Sequence, residues 1–195
     1  MHKLKTIEMH RLTVDEFKAS EKIPLVVVLD DVRSAYNVGS VFRTCDAFRV
    51  SKVFLCGITA TPPSTEIHKT ALGGEDSVDW EYFEDTADCV RLLHAQGFCV
   101  LSVEQVEHSV KLQNLDRDLF KSSSESGGQD NETKTCRRKY AVVLGNEVKG
   151  VRQDIVDMSD GCLEIPQFGT KHSLNVSITG GIVVWEFAKR MVPEL

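Results

Sequence analysis

The 195-residue sequence lacks any long run of apolar residues. Its longest apolar stretch, at 23–29, is interrupted by Pro24 and ends at Asp30, far short of the roughly 20 residues that a membrane crossing needs. The charged residues at 1–5 are not followed by an apolar core, so a secretory signal is not expected. We therefore predict a cytoplasmic protein with no membrane segment.

Paired cysteines and an excess of positive charge are also missing. No CxxC pair occurs, and no histidine stands at zinc-finger spacing, so we predict reduced thiols and no metal site. The chain has 23 Lys and Arg against 29 Asp and Glu, a net charge of −6. Charge alone would therefore not hold the protein to a nucleic acid, and any polyanionic partner must use a local basic patch. The six single cysteines are Cys45, Cys56, Cys89, Cys99, Cys136 and Cys162.

The composition is that of a single globular domain, with 42% hydrophobic and 27% charged residues, and we assign 1–195 to one domain. Continuous apolar runs predict strands at 25–29, 53–56, 98–103 and 140–144, of the kind that a parallel sheet buries on both faces. Helices are predicted at 38–48 and 86–96, after a short first helix that a capping box at Thr13 and Glu16 opens. Alternating strands and helices predict an α/β fold with a mostly parallel sheet and flanking helices.

Two segments depart from this alternation. Residues 121–139 contain no large apolar side chain, and Ser, Gly, Asn, Gln and Thr together dominate them, which predicts a flexible surface loop. Residues 174–191 are apolar nearly all round, which predicts a last helix buried on two sides. Gly180 and Gly181 inside that helix indicate close packing, against either the sheet or a second chain.

Polar residues follow three of the predicted strands, where open α/β sheets place their ligands. Asn37 and Arg43 flank a small-residue turn that opens a helix, with Arg43 expected to point back toward the sheet edge. Gly145 and Gly150 bracket an Asn-Glu pair, and a Pro- and Gly-containing loop leads into the last helix. Neither a GxGxxG nor a P-loop pattern is present.

Each of these segments also has an ordinary structural interpretation. Asn37 could be a helix N-cap and Arg43 an exposed helix arginine, and Glu147 could lie near the positive end of the helix that follows it. Ser173 or Asn175 could simply cap the last helix. His172 beside Ser173 does not indicate a hydrolase, because adjacent side chains rarely aim at one point.

Taken together, the three segments resemble a known set of motifs. They read N-x-G-S-x-x-R at 37–43, L-G-N-E-x-x-G at 144–150 and I-P-x-x-G-x-x-x-S-L-N-V-S at 165–177. In this order they are similar to the motifs of the SpoU or TrmH-type RNA 2′-O-ribose methyltransferases of the SPOUT superfamily. The resemblance extends over about 25–190.

This resemblance implies a fold and a cofactor that the residue pattern alone does not. The C-terminal part of the sheet would form a deep trefoil knot, and S-adenosyl-L-methionine would lie in it, held largely by backbone groups of three loops. The residues implied in cofactor binding are Val103, Glu104, Leu144, Gly145, Asn146, Gly150, Ile165, Pro166, Gln167, Ser173 and Leu174.

The resemblance also implies the site's chemistry. Arg43 would clamp an RNA phosphate and the developing alkoxide of a ribose 2′-hydroxyl, while the phosphate or water receives the proton. Asn37, Glu147, Ser173 and Asn175 would orient Arg43 and the ribose. RNA contacts are expected from Arg33, Arg43, Lys171 and His172, and His68, Lys69 and 137–139 are further basic candidates. For those outside the motifs, a solvated surface charge is the ordinary interpretation. The family implies a homodimer packed through the knot and the last helix.

The substrate and some alternatives remain open. The short chain favours tRNA over rRNA, because no separate RNA-binding domain precedes the core. A knotted RNA-binding or assembly protein with little catalysis is one alternative, and an RNA base methyltransferase is another. Whether Arg43 serves its own subunit or its partner is not fixed by the sequence.

Overall fold

The computed structural model describes residues 2–4, 8, 11–115 and 138–192. The loop predicted at 121–139 therefore falls, except for Arg138 and Lys139, outside the described residues, as does Cys136. The helices are α1 (Val14–Ala19), α2 (Ala35–Ala47), α3 (Thr65–Ala71), α4 (Gly74–Ser77), α5 (Thr86–Ala95), α6 (Gln153–Met158) and α7 (Val176–Met191), with a 3₁₀ turn at Leu112–Asn114. The strands are β1 (Ile23–Asp30), β2 (Val50–Cys56), β3 (Trp80–Phe83), β4 (Phe98–Val103), β5 (Val110–Lys111), β6 (Lys139–Leu144) and β7 (Gly161–Glu164).

All seven described strands run parallel in one sheet of order β3-β2-β1-β6-β4-β7-β5. The α/β class and the parallel sheet are confirmed. The four predicted strands are all present, and β4 has the predicted bounds. The strands β3, β5 and β7, of two to four residues, were not predicted, because such short segments carry too little hydrophobic pattern.

The core explains why the strand sequences are continuously apolar. Alternate residues of β1 enter separate clusters, with Leu25, Val27 and Leu29 on one face and Val26 and Val28 on the other. Helices α2 and α7 cover the first face, and α5 and α6 cover the second. Because both faces are covered, no strand position in the centre of the sheet can be polar without a partner.

A buried carboxylate ties two helices to the end of β1. Asp30 is fully buried and accepts hydrogen bonds from the Thr86 hydroxyl (2.5 Å) and from the Arg152 backbone N–H (3.1 Å). Thr86 begins α5 and Arg152 caps α6, so one side chain fixes both helix starts against the sheet. Burial raises the pKa of Asp30 despite these bonds.

The last helix, α7, is covered on one side only in the described chain. Gly180 packs on the sheet: a Cβ there would lie 3.0 Å from Leu144 Cδ1. A Cβ on Gly181 would meet nothing within 4 Å. The prediction of two buried sides is therefore wrong for the single chain, since one face of α7 stays exposed, with Ile178, Ile182 and Trp185 on it and Leu174 just before the helix. We call these four residues the α7 stripe.

Candidate active site

A cavity of about 340 Å³ opens beside the carboxyl ends of β4, β6 and β7. Its walls are the segments that follow these strands, at 103–105, 144–150 and 163–167, together with the start of α7. Ten of the eleven residues predicted to bind the cofactor line it: Val103, Glu104, Leu144, Gly145, Asn146, Gly150, Ile165, Gln167, Ser173 and Leu174.

Pro166 is the exception and does not line the cavity. Its neighbours Ile165 and Gln167 both do, as expected for an extended segment in which successive side chains point to opposite sides. The sequence did not single out Gln105, Val148, Lys149, Leu163, Glu164, Val176 or Thr179, which also line the cavity. Thr179 could have been found, because it lies one helical turn after the motif residue Asn175.

The segment after β6 forms a tight turn whose geometry requires its glycines. Asn146 and Gly150 exchange two backbone hydrogen bonds of 3.0 and 2.9 Å, and the Asn146 side chain accepts from the N–H groups of Val148 and Lys149. A Cβ on Gly145 would lie 2.1 Å from the backbone nitrogen of Val151. The glycine is therefore needed for the turn to fold back over the end of its own strand.

Glu104 connects this turn to β4. Its carboxylate accepts hydrogen bonds from the N–H groups of Val151 (3.0 Å) and Gln105 (2.9 Å). Gly150, with φ of 70°, lies against the same carboxylate. The Gln105 amide in turn donates to the carbonyl oxygen of His172 (3.1 Å), so three walls of the cavity are linked.

Glu147 is the most connected side chain of the site. It accepts hydrogen bonds from the N–H groups of Arg33 (2.9 Å) and Ser34 (3.0 Å) and from the Asn37 amide (2.9 Å). Burial alone would raise the pKa of this carboxyl, but the bonds from Arg33, Asn37 and Ser34 outweigh it and leave the pKa lowered. Glu147 therefore lies at the positive end of α2, not of the helix that follows it in sequence.

A second amide extends this contact to the third motif. The Asn175 amide donates to Asn37 Oδ1 (3.1 Å), and its own Oδ1 accepts from the N–H of Ser177 (2.9 Å), which makes Asn175 the N-cap of α7. Asn37 is not an N-cap, because Ser34 caps α2. A chain of hydrogen bonds from Glu147 through Asn37 to Asn175 thus joins all three motifs beside the cavity.

Arg43 lies elsewhere. It is exposed, does not line the cavity, and borders a separate concavity with Ser40, Phe48 and Lys69. The expectation that it points back toward the sheet edge is wrong, because α2 begins at Ala35 and Arg43 is two turns into it on the outer face. No side chain among the described residues pairs with its guanidinium within hydrogen-bonding or ion-pair distance.

The other residues predicted to contact RNA lie around the cavity or near it. His172 lines the cavity, whereas Lys171 is exposed beside it and does not line it. Arg33 is exposed, and its backbone N–H is used by Glu147. In the described part of the chain, no group of three or more His, Cys, Asp or Glu is placed to hold a metal ion. None of the described helices is long and apolar enough to cross a membrane.

Comparison with known proteins assigns this arrangement to a family. The model of the SpoU rRNA Methylase family matches residues 24–185, which include all three motifs and nearly all of the sheet. The chain belongs to the SpoU rRNA methylase family.

SpoU relatives that act on different RNAs match this chain about equally well. A tRNA (guanosine(18)-2′-O)-methyltransferase of Thermus thermophilus is 25% identical over 179 residues, which are 92% of this chain and 81% of the relative. A 23S rRNA (guanosine-2′-O-)-methyltransferase of Vibrio parahaemolyticus is 25% identical over 94% of this chain and 66% of its own length. These names describe the relatives.

Solved SpoU-type structures share the fold. A TrmH/SpoU tRNA modifying enzyme of Aquifex aeolicus superposes with a TM-score of 0.71 at 22% identity, covering 91% of this chain and 81% of its own. An AdoMet-bound rRNA methyltransferase of Sinorhizobium meliloti has a TM-score of 0.71 at 24% identity, covering 90% of this chain but 60% of its own. This SpoU chain therefore spans less than two thirds of the length of some of the enzymes that it resembles.

Proposed function

We propose that this protein transfers a methyl group from S-adenosyl-L-methionine to a ribose 2′-hydroxyl of RNA, with tRNA as the substrate. The observation that carries the proposal is the hydrogen-bond chain Glu147–Asn37–Asn175, which joins the three SpoU motifs at the rim of one cavity. Glu147 and Asn175 lie 110 and 138 residues from Asn37 in the sequence. Side chains that only capped their own helices would not need to connect such distant segments.

The cavity fits the cofactor in size and in chemistry. Its volume of about 340 Å³ lies within the range of about 300–1,000 Å³ typical of small-molecule sites. Apolar side chains such as Leu144, Ile165 and Leu174 provide a surface for an adenine ring, and the carboxylates of Glu104 and Glu164 complement a positive charge. When bound, the cofactor would supply a methyl group on a positively charged sulfur.

The chain's own residues would position the ribose. Glu147 fixes the start of α2 and the orientation of Asn37, and Asn37 fixes Asn175, so each amide has a defined rotamer beside the cavity. Ser173 lines the cavity two residues before Asn175, which supports a contact between its hydroxyl and the same substrate. Held in this way, the side chains contribute mainly by orientation.

Arg43 is proposed to clamp an RNA phosphate and the developing alkoxide. Arginine keeps its proton at any physiological pH, so its contribution is electrostatic and the phosphate or water accepts the hydroxyl proton. In the single chain Arg43 lines a separate concavity and not the cavity itself. This supports the interpretation that Arg43 acts on the cavity of the partner subunit.

We further propose a homodimer packed through the α7 stripe. Ile178 and Trp185 are 55% and 42% exposed, unusual for large apolar residues aligned on one helix face. The stripe begins at Leu174, which lines the cavity, and ends at Trp185, whose ring packs on Phe48 beside Arg43 (5.6 Å between centroids). An antiparallel pairing of two stripes would therefore bring Arg43 of one subunit near the cavity of the other.

The trefoil knot is also a proposal. Strand β6 lies between β1 and β4 although it follows both in sequence, and α7 returns from the end of the chain to contact α2, β1 and β6. Insertion of a late strand into the middle of the sheet, followed by a helix that packs back on the first strand and helix of the sheet, supports threading of the C-terminal part.

A cytoplasmic location is consistent with tRNA as substrate.

The choice of tRNA rests on the Thermus and Aquifex enzymes, and similarity at the same identity to a 23S rRNA enzyme makes rRNA the alternative. The test is transfer of labelled methyl to tRNA and to rRNA, each purified from a strain lacking the gene. We expect incorporation into tRNA by the wild type and by Arg91→Ala, a control at an exposed arginine of α5, and none by Arg43→Ala.

Cofactor affinity, measured by calorimetry, should be the same for all three proteins, because Arg43 does not line the cavity. Incorporation into rRNA alone would refute the substrate. Equal activity of Arg43→Ala would refute the role of the arginine, and failure of the wild type to bind S-adenosyl-L-methionine would refute the reaction.

A further inference from the structure

A second concavity, of about 410 Å³, lies where the outer face of α2 meets α3. Two cationic side chains line it, Arg43 from α2 and Lys69 from α3. We call it the α2–α3 groove. Its other described lining residues carry no charge: Ser40, Thr44, Ala47, Phe48 and Thr70.

Neither cation forms an ion pair with a side chain in the described part of the chain. No described carboxylate lies within ion-pair distance of Lys69 or Arg43. Glu66, one turn before Lys69, accepts hydrogen bonds from the hydroxyls of Ser64 and Thr65 and interacts with the charge of Lys69 only beyond ion-pair distance. In a protein with a net charge of −6, two cations that line one concavity and form no ion pair with a described carboxylate indicate an anionic ligand.

The groove is held in shape from below. The Thr70 hydroxyl donates to the carbonyl oxygen of Tyr36 (2.8 Å), and a Cβ on Gly39 would lie 2.2 Å from the carbonyl oxygen of Ile67. The two helices therefore approach as closely as a glycine allows, which fixes the backbone beneath both cations.

The hydroxyl groups of the groove are engaged, so the cations are the free donors. Thr70 and Ser40 both donate to the Tyr36 carbonyl, and Thr44 donates to the Ser40 carbonyl at 3.1 Å. Lys69 Nζ lies 6.0 Å from the centroid of the Tyr36 ring, which limits the positions that the ammonium group samples. A compact ammonium group beside a planar guanidinium suits the oxygens of a phosphodiester.

We propose that Lys69 is a second phosphate-binding residue that, together with Arg43, holds the RNA backbone beside the target nucleotide; this inference rests on the proposed function. Arg43 can act at the reacting ribose only if the RNA strand is held with the target nucleotide at the site. A second cation on a separate helix fixes the direction of the RNA strand as well as its position. Lys69 is thus a positioning residue for the methyl transfer.

The test is the salt dependence of RNA binding. Fluorescently end-labelled bulk tRNA is titrated with wild type, Lys69→Gln, Lys69→Arg and Lys18→Gln across a series of salt concentrations. Lys18 is the matched control, an exposed lysine in the last turn of α1, close to the amino end of the sheet. Loss of one phosphate contact reduces the slope of log affinity against log salt by about 0.7–0.9.

We expect Lys69→Gln to show this smaller slope and a higher KM for tRNA with unchanged cofactor affinity, Lys69→Arg to restore both, and Lys18→Gln to match the wild type. An unchanged slope for Lys69→Gln would overturn the phosphate site. The site would also be overturned if the slope changed only because the variant unfolds, seen as a lower Tm, or changes its oligomeric state, seen as an altered molecular mass. A wild type that transfers no methyl to RNA while the slope still falls would refute the proposed reaction but support the site.

Discussion

Replacement of Glu147 by glutamine tests the centre of the site. The carboxylate accepts three hydrogen bonds, one on Oε2 from Arg33 and two on Oε1 from Ser34 and Asn37. A glutamine has the same shape but only one accepting oxygen. If that oxygen takes the place of Oε1, the amide nitrogen faces the Arg33 N–H and that donor loses its partner.

The size of the effect follows from these bonds. A hydrogen bond to a charged group contributes about 1.5–3 kcal/mol, and partial exposure of Glu147 to solvent reduces this, so we expect a loss of about 1–2 kcal/mol. In a protein of this size that corresponds to a Tm lower by about 2–8 °C. Turnover should fall as well, because Asn37 and the start of α2 lose their common anchor.

The effect depends on pH in a defined direction. Because the pKa of Glu147 is lowered by folding, its stabilising contribution is complete above the carboxyl's ordinary pKa and is lost as the pH falls through the lowered value. The difference in Tm between wild type and Glu147→Gln should therefore be full at pH 7 and shrink at acidic pH. Thermal denaturation across this range measures it, with Glu107→Gln, at an exposed loop position, as control. A difference that is the same at pH 3 and pH 7 would refute the reasoning.

Three further predictions concern the motifs and the α7 stripe. Asn175→Ser should keep the helix cap and the Tm but slow turnover by up to about a hundredfold, as measured by steady-state kinetics. The reason is that a serine side chain is too short to reach the Asn37 amide on α2. Gly145→Ala should abolish cofactor binding in calorimetry, because its Cβ would lie 2.1 Å from a backbone nitrogen, whereas Gly161→Ala, whose Cβ would make an ordinary 3.4 Å contact, should bind normally. Ile182→Lys should halve the mass seen by light scattering, and Ile58→Lys, at an exposed apolar residue away from α7, should not.

Much of the fold could be predicted because its strands are uniformly apolar. The run at 98–103 matched β4 at both ends, and the capping box at Thr13 and Glu16 opens α1 as expected. Gly97, directly after the C-cap of α5, has the positive φ of 78° that is typical of a helix-terminating glycine. The order of strands could not be obtained in this way, because pairing between β1 and β6 joins segments more than a hundred residues apart.

The site was predicted through its motifs but not through its geometry. Ordered motifs indicated which residues matter, and ten of the eleven proposed cofactor residues line one cavity. Local reasoning failed where contacts are long-range: Glu147 stabilises the start of α2 rather than that of the next helix, and Asn37 bonds Glu147 and Asn175 rather than capping its own helix. The position of Arg43 depends on where α2 begins, which Ser34 decides through its cap.

The most direct test of the central claim is the location of the transferred methyl group. RNA methylated by the wild type with labelled S-adenosyl-L-methionine is digested with a ribonuclease that needs a free 2′-hydroxyl. The proposed reaction predicts that the label is recovered in nuclease-resistant dinucleotides. Label recovered in single nucleotides would place the methyl group on a base and contradict the account.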